Sequence, residues 1–196
     1  MTPFCHPFAP HIEVYACSSD AALELLSTVS LSSPSHVSQT TLPILFSILP
    51  DHAPPREAEA ERVKYWRTLA SLKKLCKQPE LFETLVVRLW TKLDLICTSS
   101  PSQTDDTAAV DLEPDAAYAH SLLRTISDTL AAKVDAGHAD VAKYIDRLVP
   151  RVYNLFIYAA LTPKHERAKY AIATDPRLIS VAAKIVTLIS QTLPSE

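Results

Sequence analysis

Cys5, His6, His11 and Cys17 place two thiols and two imidazoles close together near the start of the chain. Those are the ligand types of a zinc site. Their spacing matches no usual pairing, and adjacent Cys5 and His6 would strain a tetrahedron, so the segment reads as an irregular terminus with no metal. Glu57, Glu59 and Glu61, and the pair Asp105 and Asp106, could do acid–base work if a cleft held them. The first group fits a helix N-terminus more simply, and the second a solvated loop. Serines are common, but no Gly-x-Ser-x-Gly turn exists to present a nucleophile. No catalytic residue is expected.

The residues suited to binding a partner are aromatic and basic. Trp66 lies on the apolar stripe of its helix and is expected in the core, whereas Trp90 leaves its stripe slightly and is the better surface anchor. Lys73, Lys74 and Lys77 close a helix, where they complement its dipole and could also meet an acidic partner. Lys164, His165, Arg167 and Lys169 form a second basic run on a loop, a somewhat better contact candidate.

Composition narrows the classes. The 196 residues contain one glycine, Gly137, and 15 prolines. Hairpins and phosphate-cradling loops need glycine where φ is positive or a ligand nears the backbone, which argues against nucleotide-dependent enzymes. A formal net charge of −3 argues against a dedicated nucleic-acid binder. Hydrophobic residues at 47% permit a sizeable core. Cys76 and Cys97 fall within helical patterns and are expected to pack as small apolar groups. A cluster would need four thiolates brought together, and these cysteines are scattered, so no cofactor is expected. The start of the chain lacks the basic, apolar pattern of a signal peptide, and no apolar run reaches membrane length. The expectation is a soluble, intracellular, reduced protein.

The elements that would position these residues are all helical, with no strand signal. Residues 1–35 read as an irregular lead-in with one short helix, opened by Asp20 as N-cap. A second helix, about 36–49, carries Leu42, Leu45, Phe46 and Leu49 on one face, with Pro43 inside it. A third spans about 56–77, with Val63, Trp66, Leu69, Leu72 and Cys76 as its stripe. A fourth starts at Pro79 and carries Leu81, Phe82, Leu85, Val86, Leu89, Leu93 and Ile96. Thr98 to Pro114 is polar and aperiodic, and reads as a flexible loop. A fifth helix, about 115–136, is ended by Gly137. A sixth, about 140–161, is interrupted by Pro150, and a last one begins near Pro176.

From residue 36 onward these helices form about three pairs. Pair starts near 36, 79 and 140 give steps of 43 and 61, the first matching the roughly 40–47-residue HEAT repeat. The fold class expected is an all-α solenoid of HEAT-like helix pairs.

The stretch TLPILFSILPDHAPPREAEAERVKYWRTLASLKKLCKQPELFETLVVRLWTKLDLIC resembles the C-terminal region of the MMS-nineteen nucleotide excision repair protein family, in its fungal form. ELFETLVVRL with the nearby TKLDLIC, and LPDHAPPREAEAER, are its less generic parts. DVAKYIDRLVPRVYNLF and DPRLISVAAKIVTLISQTL are similar to later segments of the same family. The resemblance covers about 37–196 and implies a non-enzymatic HEAT-repeat scaffold of cytosolic iron–sulfur protein assembly. It further implies targeting factors and apoprotein clients of DNA repair, replication and transcription as partners, and a place in cytoplasm and nucleus. Direct nucleic-acid or membrane binding is not expected. The rivals are another helical-repeat binder, such as a transport receptor or phosphatase scaffold, and a DNA-base glycosylase on helical repeats.

Overall fold

Proline, more than glycine, punctuates this chain. The computed structural model describes residues 10–98, 111–163 and 170–193, with side chains from Asp20 onward. Helices α1 (Pro10–Ser32), α2 (Pro34–Ile48) and α4 (Pro79–Thr98) each begin at a proline, and α5 (Glu113–Asp135) has one at its second residue. The first-turn N–H is an orphan in any helix, so proline costs nothing there and its fixed φ favours the turn. Helix α3 (Glu59–Leu75) opens on acidic residues and closes on Lys73 and Lys74.

The lead-in is more helical than its sequence pattern implies. Asp20 lies inside α1, not at its cap. No proline or glycine occurs between Pro10 and Pro34, so nothing stops the helix at the Ser18–Ser19 pair. Most of the loop expected at 98–114 lies outside the described residues; Thr98 closes α4 and Glu113 opens α5.

Gly137 ends α5 as expected, at φ +68°. Its N–H donates to the Val134 carbonyl at 2.9 Å, and the His138 N–H donates to Lys133 at 3.0 Å. These are the two bonds of a Schellman cap, in which the left-handed residue favours glycine.

The sixth rod, residues 139–161, changes winding along its length. A 3₁₀ segment (Ala139–Tyr144) leads into α6 (Ile145–Val152), a π-turn (Tyr153–Ile157) and the short α7 (Tyr158–Leu161). Pro150 has no N–H to return to the preceding turn, and the wider π-turn begins three residues later. Helix α8 (Pro176–Ser190) is capped by the Asp175 carboxylate, which accepts from the Arg177 backbone N–H at 2.8 Å.

The described residues form an all-α fold in two layers. Helices α1, α3, α5 and α8 pack successively in one layer, and α2, α4 and the sixth rod in the other. Equivalent helices run parallel at near-constant offset. Arg56 meets Asp111 and Lys73 meets Asp128, both 55 positions on; Glu83 meets Arg147 and Glu113 meets Arg177, both 64 positions on. Aromatic pairs lock the same register: Tyr65 with Tyr118 at 4.8 Å, Phe82 with Tyr144 at 4.8 Å, Trp90 with Phe156 at 6.2 Å.

Helix α5 has neighbours on three sides, α3, α4 and α8. Its buried residues therefore exceed one stripe and include Lys133, with 0% of its side chain exposed. The Lys133 ammonium pairs with Asp140 at 2.9 Å, donates to the Lys77 carbonyl at 2.8 Å and lies 5.4 Å from the Phe82 ring centre. A buried charge is tolerable only when paired and hydrogen-bonded in this way.

Candidate protein-binding groove

The turn from α2 to α3 and the start of α5 make one end of a groove on the α3–α5 face. The Pro50 carbonyl accepts from the buried Tyr118 hydroxyl at 2.8 Å and from Lys92 at 3.1 Å, which pins that turn. Burial raises the Tyr118 phenol, keeping it a neutral donor. Across the N-termini of the layer, Arg56 clasps Asp111 with bonds of 2.7 and 3.1 Å. Arg177 clasps Glu113 at 2.8 and 2.9 Å while also holding Asp175 at 2.8 Å. Hydrogen bonds from these guanidinium groups hold the carboxyls of Asp111, Glu113 and Asp175 below the usual range.

Trp66 stands in the middle of the groove, 50% exposed, and edge-on to Tyr65 at 5.7 Å. It walls two depressions. The larger, about 280 Å³, runs along Leu69, Lys73, His120, Arg124 and Asp128; the smaller, about 180 Å³, is lined by Pro54, Arg62, Pro114 and Ala117. Asp128 is 26% exposed and draws one cation from each of three helices. Lys73 of α3 approaches to 3.5 Å, Arg124 of α5 to 3.7 Å and Lys184 of α8 to 3.7 Å. One carboxylate facing three cations leaves a local positive surplus. In the smaller depression the Nε of Arg62 is buried and has no hydrogen-bond partner among the described residues. Burial, and then the nearby cations Arg124 and Arg177, push the His120 imidazole below its ordinary value, so it is neutral in neutral solution. No group of three or more His, Cys, Asp or Glu among the described residues is placed to hold a metal.

A family model described as RNAPII transcription regulator C-terminal, the C-terminal part of MMS-nineteen proteins, matches residues 68–196, well over half the chain. The chain belongs to this family. No curated protein and no solved structure matches it. The matched span holds α4, α5, the sixth rod and α8, with the last turns of α3; Arg62 and Trp66 stand just before it.

Within this family member the two tryptophans exchange the roles expected of them. Trp90 is buried at 1% exposure, because α4 is covered by α2, α5 and the sixth rod, so residues beside its stripe are covered too. Trp66 is the exposed one, because α3 turns Tyr65, Leu69, Leu72 and Leu75 inward. That set has helical spacing as good as the stripe through Val63 and Trp66. Of the basic candidates, Lys73 enters the groove, Lys74 pairs with Glu24 of α1, and Lys77 is exposed at the end of α3. Lys164, Arg167 and Lys169 lie outside the described residues, as do Cys5 and the side chain of Cys17. Cys76 and Cys97 are buried as expected, and burial pushes both thiols up to about 12. They are protonated packing groups, not thiolate ligands. No sequence pattern singles out Arg62, Arg124, His120 or Lys184; only the packing of α3, α5 and α8 brings them together.

Proposed function

We propose that the chain is a non-enzymatic scaffold, an α-solenoid of about three HEAT-like helix pairs, serving the targeting step of cytosolic iron–sulfur protein assembly. It holds the late-acting assembly factors and their apoprotein clients of DNA repair, replication and transcription, in cytoplasm and nucleus. Membership of the MMS-nineteen C-terminal family carries this reading. The constant register of the two layers supports the solenoid part, because partners on such a stack bind along an extended face. The chain is proposed to carry no cluster itself.

Mixing the purified chain with purified assembly targeting factors should yield a complex on size exclusion. The same chain should show no cluster absorbance after anaerobic desalting. A complex with nuclear transport GTPases and none with assembly factors would replace this reading with that of a transport-type binder.

A further inference from the structure

We infer that the α3–α5 groove receives an acidic, extended segment of a partner protein, with one apolar side chain lodged against Trp66 and carboxylates on Arg62 and on the cations around Asp128. This deepens the scaffold reading and rests on it.

The chain as a whole is acidic, at −3, yet this groove is not. Asp128 can neutralise only one of the three cations that reach it from α3, α5 and α8. Lys73, Arg124 and Lys184 are each about half or more exposed, so a ligand can reach them. Arg62, at the far end of the groove, shares its depression with Arg56 and Glu113, which are already paired with Asp111 and Arg177 respectively; Arg62 itself meets no carboxylate within ion-pair distance among the described residues, and its Nε lacks an acceptor. The Nε itself is shut off from solvent, so a carboxylate would meet Arg62 through the remainder of its guanidinium, which lines the smaller depression. Between these two positive ends stands Trp66, half out of water and flanked by Leu69, Pro54, Pro114 and Ala117. An exposed tryptophan between cations is a binding anchor surrounded by charge that fixes orientation.

A nucleic acid would use the same charges, but the groove offers too few. Nucleic-acid binding draws its affinity from many phosphate contacts, on the order of 6–10 in a strongly salt-dependent binder. The uncompensated cations here match two or three carboxylates.

The test is fluorescence anisotropy with a short labelled peptide of aspartates and glutamates around a single leucine, titrated with the full chain at low salt. Saturable binding is expected, with Trp66→Ala and Arg62→Ala each weakening it about fivefold or more. Asp128→Asn should tighten it about threefold, since it frees a cation, whereas a merely structural carboxylate would not act in that direction. Arg147→Ala, on the opposite layer, should change it by less than about twofold. Equal binding of the peptide with amides for carboxylates would overturn the inference, as would indifference to both Trp66→Ala and Arg62→Ala. So would absence of saturable binding, or preference for an oligothymidine. An assembly-factor complex that forms equally with the Trp66→Ala, Arg62→Ala double variant and is not competed by the peptide removes the groove and leaves the scaffold. Peptide binding with these variant effects, but no assembly-factor complex, upholds the groove and removes the assembly partner.

Discussion

Asp140 and Asp128 each meet a lysine, and they meet it in opposite surroundings. At the junction of α4, α5 and the sixth rod, Asp140 is 9% exposed and holds Lys133, which is 0% exposed. On the α3–α5 face, Asp128 is 26% exposed and stands among three cations that are mostly in water. In the first place charge is balanced and immobilised, so the pair belongs to the architecture. In the second place charge is unbalanced and reachable, so the site has something left to offer a partner. The same two residue types are thus locked into the architecture where water is excluded and left reachable where it is not, because Coulombic coupling and desolvation both scale with the local dielectric.

The largest effect should come from putting charge where the architecture has no partner for it. Leu85→Asp or Leu148→Asp, each at 0% exposure, should cost roughly 5 kcal/mol by placing an unpaired carboxylate in the core. Unchanged thermal melting of both would mean that the buried faces are misassigned and the contrast void.

Lys133→Met probes the junction itself. Leaving Asp140 buried with only the His138 imidazole, 3.7 Å away, to pair with it among the described residues should cost about 3–5 kcal/mol, and adding Asp140→Leu should recover most of it. Urea unfolding of the single and double variants measures this. A single variant as stable as the parent would place Lys133 in the same class as the surface lysines.

The tryptophans sharpen the contrast. Trp90→Ala should cost about 3–5 kcal/mol through the cavity left against Phe156. Trp66→Ala should cost less than about 1 kcal/mol while acting on binding. Equal losses in denaturant midpoint would show that Trp66 is core after all.

The smallest effect concerns the ion pairs at the N-termini of the layer. Glu113 and Asp175 have folded values below their ordinary 4.5 and 3.8, chiefly through hydrogen bonds from Arg177. Below those ordinary values the unfolded chain binds more protons than the folded one. The stability these groups contribute is therefore full above them and is lost as the pH falls through the folded values. Arg177→Ala should flatten the acid limb of melting temperature against pH, slightly, since Glu113 is about half exposed and Asp175 only partly buried. An unchanged acid limb would assign these pairs no role in register.

By itself the sequence determined the all-helical class, the order of the helices and most of their starts. Those come from local rules: proline in a first turn, apolar residues at helical spacing, Gly137 at a left-handed cap. It also placed Cys76, Cys97 and Leu85 inside, since Cys76 and Leu85 lie on apolar stripes and Cys97 falls within a helical pattern. It could not choose which of two equally good stripes α3 buries, nor foresee that α4 would be covered on several sides, so the two tryptophans exchanged places. Nothing in it signals that Lys133 is buried or that Lys73, Arg124 and Lys184 converge on one carboxylate. Those outcomes depend on which helices are neighbours, at an offset of 55 or 64 positions along the chain. Spacing within a helix sets which residues share a face; only the packing of one helix on another decides whether that face sees protein or water.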